Sequence, residues 1–410
     1  MVLNRVWIGM IIIALVMGFS KLFFWQDTFI LKRMMDDLFN TATVAFDIAI
    51  GMVGMLCLWM GIMKIGEDSG AVNLLSRFVN PFFSKLFPSI PANHPAMGSI
   101  MLNFSANMLG LDNAATPSGL RAMQQLQELN TEKDKASDAQ IMFLVLNASG
   151  LTIIPVSILA ARAAGGSKDP MSVFIPILLT TYFATIGGLV FVAIKQKINL
   201  LQRTILSSIG SITAFILGTL YYLSSHPDMI DPVSRIASTT IVFFFIGFFV
   251  LMSIRSKTQA FESFVEGAKN GFEVALNILP FLVSMLAAIS LFKSCGALLD
   301  LLNGLKWLLM MGGIKAIEFI DALPVMLMKP FSGSGARGLM IDNMKAFGPD
   351  SFVSNLSATF QGSTETTFYV LSVYFGSVKI KNSRYAATAG LFCDLVGAVA
   401  AIIIAYIFFT

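Results

Sequence analysis

The chain repeats itself. Phe46-Asp47 is matched by Phe272-Glu273, 226 residues on, and Gly70-Ala71 by Gly296-Ala297 at the same offset. Phe104-Ser105 is matched by Phe331-Ser332 at an offset of 227. After one change of length the match resumes at 214, with Asn147-Ala148-Ser149-Gly150-Leu151-Thr152 over Gln361-Gly362-Ser363-Thr364-Glu365-Thr366. The shift fits a longer polar loop in the first half, 125–138, against a short turn, 346–351, in the second. Any fold of this chain must therefore build one architecture twice. Repeated halves that share polar, helix-breaking segments point to a transporter scaffold with its site where the repeats meet.

The surroundings of those segments are apolar. Of 410 residues, 56% are hydrophobic and 13% charged, with a mean hydropathy of +0.76. A soluble domain carries roughly a quarter charged residues. About nine stretches are long enough to cross roughly 30 Å of hydrocarbon: 6–24, 44–65, 139–161, 173–194, 205–223, 236–254, 272–291, 352–378 and 386–409. The fold class is an all-α polytopic membrane protein. The first stretch is long for a secretory signal and has no small-residue cleavage site, so it reads as a retained helix.

The net charge of +4 is small and lies in loops, which gives nucleic-acid binding no support. Cys57, Cys295 and Cys393 lack metal-ligand spacing and read as small buried hydrophobes. His94 and His226 are the only histidines and lie far apart. That leaves no metal site, no cofactor signature and little material for an intramembrane enzyme. No Walker-type loop suggests an ATPase motor.

Lys and Arg near span ends mark the cytoplasmic side. Lys195, Lys197 and Arg203 form one cluster, Arg255 and Lys257 a second, and Lys379, Lys381 and Arg384 a third. The loop 224–231 carries acid and no Lys or Arg. Placing the clusters inside and that loop outside puts the N-terminus inside and the C-terminus outside. Each repeat has an even number of spans, so the extra helix 205–223 inverts the second repeat against the first. Arg162 and Lys168 then fall outside, against the rule. The divisions are 1–200 for the first repeat, 201–234 for the connecting helix and 235–410 for the second.

Two segments, 91–126 and 321–347, are apolar at both ends and polar in the middle. A half helix of about 12 residues covers about 18 Å, half a bilayer, so each reads as a re-entrant hairpin. In the first, Thr116-Pro117 resembles an N-cap followed by proline at the first helical position. In the second, Pro330 ends the incoming helix and Gly333, Gly335 and Gly338 supply the tip. The stretches 72–87 and 297–311 read as amphipathic interfacial helices.

Polar residues gather at corresponding places in both halves. The first hairpin holds Asn103, Ser105, Asn107 and Asn113; the second holds Ser332, Ser334 and Arg337. The following spans hold Asn147, Ser149 and Thr152, and Gln361, Ser363, Thr364, Glu365 and Thr366. Gly or Pro interrupts both spans, so they read as discontinuous helices. Singly, such a Ser or Thr is more often helix packing than ligand contact; their clustering in both halves makes the set a substrate-binding candidate. Asn103 and Asn107, and equally Gln361 and Glu365, are four apart and would share a helix face. Half-helix N-termini at these tips favour an anionic group on the ligand. Glu365 and Asp394 lie deep in spans, where a carboxylate is costly and usually functional; both are candidates for ion coupling. Arg337 has Glu365 or Asp342 as candidate partners, and a structural ion pair is its competing explanation.

These residues carry a resemblance. Asn103-Phe-Ser-Ala-Asn-Met-Leu-Gly-Leu-Asp-Asn-Ala-Ala-Thr-Pro-Ser-Gly-Leu-Arg-Ala-Met123 resembles the signature of spore maturation protein A. Pro330-Phe-Ser-Gly-Ser-Gly-Ala-Arg337, Gly348-Pro-Asp-Ser-Phe352, Gln361-Gly-Ser-Thr-Glu-Thr-Thr367 and Val373-Tyr-Phe-Gly-Ser377 resemble spore maturation protein B. The chain thus looks like a fusion of the two. The resemblance implies the gate, or nucleoside recognition, domain shared with concentrative nucleoside transporters and bacterial ferrous-iron transporters. It implies that Gln361–Thr366 is similar in character to the Gln-Thr-Glu segment that binds nucleoside in the former. It also makes a homo-oligomer plausible by analogy.

The resulting expectation is a secondary-active transporter in the bacterial cytoplasmic (inner) membrane. A small polar solute and a coupling cation, H⁺ or Na⁺, are the expected partners besides the lipid bilayer. The alternative is a membrane scaffold or regulator of envelope or spore-type maturation that has lost transport.

Overall fold

The computed structural model describes residues 2–91, 94–110, 112–200, 202–312 and 317–410. They form helices with no β-strand among them, apart from an isolated bridge between Lys135 and Asn382. In chain order the first set is α1 (Val2–Phe24), α2 (Ile30–Asp68), α3 (Ala71–Leu86), α4 (Pro95–Met108), α5 (Asp112–Leu129), α6 (Asp138–Ser149), α7 (Val156–Ala164) and α8 (Phe174–Gln196). Then comes α9 (Arg203–Ser225). The second set is α10 (Ile230–Ser256), α11 (Ala260–Ser294), α12 (Ala297–Met311), α13 (Leu323–Met328), α14 (Gly333–Phe347), α15 (Phe352–Gly362), α16 (Thr367–Ser377) and α17 (Ala386–Phe409).

Among the described residues, seven helices are long and apolar enough to cross a membrane. The remaining expected spans, 139–161 and 352–378, are the broken pairs α6–α7 and α15–α16. The chain is a multi-pass helical membrane protein.

The order of α1–α8 recurs in α10–α17, and the repeated Gly-Ala pairs show why the sequence repeats. Gly70 and Gly296 turn the corners into α3 and α12 with φ of +79° and +92°, a left-handed conformation that glycine adopts without a Cβ clash. α3 and α12 are the two expected interfacial helices.

Equivalent helices run antiparallel, so the repeats are inverted. In the α2–α11 pair, a Cβ on Gly267 would lie 2.3 Å from the Met60 carbonyl oxygen, and one on Gly271 would lie 2.6 Å from that of Leu56. Contacts move down one helix as they move up the other. Two glycines four residues apart let these backbones touch. In α8–α17, Gly188 meets Cys393 and Gly187 meets Val396 in the same descending order.

The broken helices follow suit. Arg162, ending α7, bonds the Pro349 carbonyl (3.1 Å) and Asp350 (3.2 Å) just before α15. Arg384, after α16, bonds Asp138 at the start of α6 (2.7 Å). Each broken helix is thus latched at its far end to the beginning of the other. Arg162 is wholly buried and also reaches Ser167 and Ser172. Burial acts to raise the Asp350 carboxyl. The Ser167 hydroxyl, the Lys168 backbone N–H and the Arg162 charge outweigh it and hold the group below the usual aspartate range.

Several expected boundaries change. α2 and α11 begin well before 44 and 272 and run for 39 and 35 residues. Their polar first turns continue the helix beyond the apolar span, to a length of about 58 Å for α2 at 1.5 Å per residue. Thr116-Pro117 lies inside α5, which starts at Asp112. The Ala115 carbonyl there is taken up by Asn103 Nδ2 (2.8 Å) and Ser118 Oγ (2.9 Å). Gly335 and Gly338 lie inside α14, which Ser332 caps by accepting from the Gly335 N–H (2.9 Å). Packing rather than turning bears on Gly335: a Cβ there would meet Met285 Cε at 2.8 Å and push that side chain aside.

Candidate functional site

The site forms where the two helix breaks cross. α6 ends at Gly150 with φ +59°, and α7 begins after Pro155 without a side-chain cap. α15 ends at Gly362, and α16 begins after Thr366, again without one. Uncapped first turns leave backbone N–H groups pointing out of the helix start. The crossing is a hydrogen bond from the Glu365 N–H to the Ala148 carbonyl (2.9 Å). A Cβ on Gly150 would sit 2.9 Å from Glu365 N and 3.2 Å from the Thr364 carbonyl carbon. Glycine is needed at this position for its conformation and for its lack of bulk.

Each break is tied to the hairpin of its own half in the same way. The Ile153 N–H donates to the Met108 carbonyl at the α4 end (2.7 Å). The Phe368 N–H donates to the Pro330 carbonyl between α13 and α14 (3.0 Å). Gln361 Nε2 adds a bond to the Gly333 carbonyl (3.1 Å).

Two cavities flank the crossing and share Asn107 and Glu365. The first, about 210 Å³, is lined by Thr152, Lys329, Arg337, Gln361, Thr364 and Thr366 as well as the shared pair. The second, about 220 Å³, has Thr116, Asn147, Tyr369 and Tyr374 in its wall. Glu365 is exposed to these spaces rather than buried in protein. The second cavity is backed by a polar chain. Asn107 Nδ2 donates to Asn147 Oδ1 (2.9 Å), which also accepts from the Tyr374 hydroxyl (3.2 Å), and Asn103 Nδ2 reaches the same hydroxyl (3.3 Å). Asn103 and Asn107 thus share a face of α4 and one network, as their spacing predicts.

Other expected site residues serve elsewhere. Ser149 donates to the Leu146 carbonyl (3.1 Å) and accepts from Thr185 on α8 (3.1 Å). Ser363 donates to the Phe360 carbonyl (2.8 Å). Ser332 caps α14 with Ser334 beside it (3.2 Å). None of these four lines either cavity. Ser105 is fully buried, and its hydroxyl meets no partner among the described residues. The side chain of Asn113 lies outside the described residues. Gln361 and Glu365 do not share a helix face, because α15 ends between them, yet both reach the first cavity. Of the two partners considered for Arg337, Asp342 is taken by Lys293 (3.0 Å).

Asp394 is buried behind the second break. It accepts from Thr364 Oγ1 (2.6 Å) on one side of the break and from Thr367 Oγ1 (2.7 Å) on the other. Gly390 and Gly397 on the same face of α17 let the break approach: a Cβ on Gly390 would meet Thr367 Cγ2 at 2.5 Å. The set 390, 394, 397 has helical spacing and was readable as one stripe.

Lys329, like Tyr374, is a residue the sequence reading missed. It is 6% exposed, lines the first cavity and is a charged neighbour of Asp394. Its signal was a lysine beside a helix-ending proline inside an apolar segment.

The nucleoside recognition (Gate) family matches residues 49–165, a stretch that includes α4–α6 and the first break. Spore maturation protein A of Bacillus subtilis (strain 168) is 40% identical over 187 residues, which cover 46% of this chain and 92% of that protein. Spore maturation protein B of the same organism is 46% identical over 153 residues, 37% of this chain and 84% of that protein. The two match different parts of the chain, as a fusion requires. No solved structure matches.

Proposed function

The chain belongs to the spore maturation protein A and B family, joined in one polypeptide and carrying a gate domain, and from that premise we propose that it is a secondary-active transporter of a small polar solute. The observation that carries the proposal is the crossing itself. Two antiparallel broken helices meet at Gly150 and Glu365, with a cavity on either side that shares Asn107 and Glu365. Inverted repeats around a midplane site can rock to expose it to each side in turn. Irregular backbone at that depth is tolerated where it lines a cavity.

In this reading α4–α5 and α13–α14 are re-entrant hairpins, and the repeats are 1–200 and 235–410, joined through 201–234. Asn107, Thr152, Arg337, Gln361 and Glu365 contact the solute, with Asn103, Asn147 and Tyr374 behind them. Glu365 and Asp394 couple its movement to H⁺ or Na⁺. The protein sits in the bacterial cytoplasmic membrane with its N-terminus inside and C-terminus outside.

The test is uptake of radiolabelled metabolites into proteoliposomes under imposed pH and Na⁺ gradients, wild type beside Glu365→Gln. Gradient-driven uptake that the substitution abolishes is the expected result. Absence of uptake for every solute and gradient, with both proteins well folded, would leave the non-transporting scaffold.

A further inference from the structure

We propose that a pocket away from the crossing holds the headgroup of an aminophospholipid, phosphatidylethanolamine, with the phosphate on Ser234 and Arg235 and the ammonium group on Asp231 and Asn355. The inference does not depend on the transporter reading. The pocket, about 410 Å³, lies between the first turns of α10, the last residues of α17, the start of α15 and the loop between α7 and α8. It sits at the end of two membrane-crossing helices, since α10 begins at Ile230 and α17 ends at Phe409. Lipid headgroups occupy that level. Further along α10, Ile236, Phe243 and Phe244 are exposed and offer acyl chains an apolar track. Phe408 and Phe409 give the pocket its apolar wall.

The polar groups of the pocket await a ligand with donors and acceptors. Among the described residues, the Arg235 guanidinium, the Asp231 carboxylate and the Ser234 hydroxyl have no hydrogen-bond partner. The three share one face of α10, three and four residues apart. One turn is about 5.4 Å, a separation that a phosphate and an amine joined by two carbons can bridge. Asn355 stands in the same wall and is 6% exposed. Its Nδ2 donates to the Asp350 carbonyl (3.2 Å), and its Oδ1 meets no donor among the described residues. A buried acceptor without a donor is costly. An ammonium N–H removes that cost, whereas the trimethylammonium of a choline lipid carries no N–H.

The charges select a zwitterion. Asp350 accepts from Arg162, and Asp169 accepts from the Met171 N–H (3.0 Å) beside Lys168. With Arg235 set against Asp231, neither sign is in excess, so an anionic headgroup would face uncompensated carboxylate. The position also gives the lipid a structural effect. Asp350 holds Arg162, Asn355 holds the Asp350 backbone, and both residues line the pocket. An occupant therefore ties α10 to the latch at the start of α15.

The experiment is native mass spectrometry of the purified full-length protein, titrated with short-chain phosphatidylethanolamine, phosphatidylcholine and phosphatidylglycerol and with soluble glycerophosphoethanolamine. The ethanolamine lipid binds about tenfold or more tighter than the choline lipid, the value of one charge-assisted hydrogen bond. Asp231→Ala and Asn355→Leu each cut that preference by about threefold or more. Arg235→Gln weakens both lipids and keeps the preference. Asp231 is exposed, so its variant decides the matter even where Asn355→Leu fails to fold. Equal affinity for the ethanolamine and choline lipids overturns the proposal, as does an unchanged preference in Asp231→Ala. Tighter binding of phosphatidylglycerol overturns it by assigning the pocket to an anion. Glycerophosphoethanolamine binding as tightly as the lipid overturns it by assigning the pocket to a soluble phosphoamine. All four results leave the transporter reading standing.

Discussion

Replacing Gly150 by alanine tests whether the crossing of the two breaks is the centre of the molecule. Two costs are expected. The first is conformational: φ of +59° places an L-residue in the left-handed region, at about 1–2 kcal/mol. The second is steric. The added Cβ would lie 2.9 Å from Glu365 N, 3.1 Å from its Cγ and 3.2 Å from the Thr364 carbonyl carbon. Backbone atoms cannot swing away, so the second break must shift, at about 1–3 kcal/mol. That shift also lengthens the Glu365 N–H to Ala148 bond, worth about 1 kcal/mol. The sum is on the order of 3–6 kcal/mol. Gly166 supplies the control. It has φ of +81° with nothing within 4 Å of its would-be Cβ, so Gly166→Ala incurs only the conformational part, about 1–2 kcal/mol. Denaturant unfolding in mild detergent compares the two, with proteoliposome uptake alongside. Equal destabilisation by both substitutions would refute the steric argument. Wild-type uptake by Gly150→Ala would refute the importance of the crossing.

Three further outcomes follow from the geometry. Asp350→Asn leaves the wholly buried Arg162 without its carboxylate; because Asp350 is itself 38% exposed and Arg162 keeps the Pro349 carbonyl and Ser172, the expected loss is about 1–2 kcal/mol. Because the folded state depresses the Asp350 pKa, its contribution is fully present above the unfolded value near 3.8 and is lost as pH falls through the lower folded value. The wild-type advantage over Asp350→Asn in thermal melts should therefore shrink as pH falls below about 4. Asp394→Asn and Asp394→Leu both remove the charge beside Lys329, but Asn can still bond both threonines whereas Leu strands Thr364 and Thr367, so Leu should cost about 1–3 kcal/mol more than Asn; equal melting temperatures of the two variants would show that bonds to the threonines do not hold the break. Gly267→Leu drives a side chain into the Met60 carbonyl, 2.3 Å from the would-be Cβ, and should cost about 3 kcal/mol or more, while Gly54→Leu on α2 meets nothing within 4 Å and should be neutral by size-exclusion profile and melt.

Much of the fold was legible because membrane spans are written in composition and the two halves in repetition. The Gly70-Ala71 and Gly296-Ala297 pairs were legible as a repeat, and each glycine turns the chain left-handed into the next helix, α3 or α12. The breaks were legible from Gly150, Pro155 and Gly362 beside polar residues. Helix ends were less so, since α2 and α11 continue through charged turns that a hydropathy criterion reads as loop. Proline misled at Thr116-Pro117, because the helix starts earlier, at Asp112, and Pro117 falls in its second turn rather than at its first position. The site divided along the same line. Asn103 and Asn107 were found by spacing on a continuous helix, whereas Gln361 and Glu365 converge across a break that spacing cannot describe. Lys329 reads as an ordinary flanking lysine until the fold encloses it. Ser149 and Ser363 look like ligand contacts in sequence but bond within their own helices.

α9 is largely exposed, with only 6% of its apolar window buried in the protein, while the contacts that unite the halves lie in α2–α11, in α8–α17 and in the two arginine latches. Joining two chains converts their meeting from an encounter between molecules into closure of a tether, with an effective concentration in the millimolar range for a short link. Free counterparts of the halves would have to associate against dilution in the bilayer and to be made in matching amounts. One polypeptide removes both demands. Substitutions that weaken the α2–α11 contact should therefore be better tolerated in this chain than in a version severed within the loop after α9.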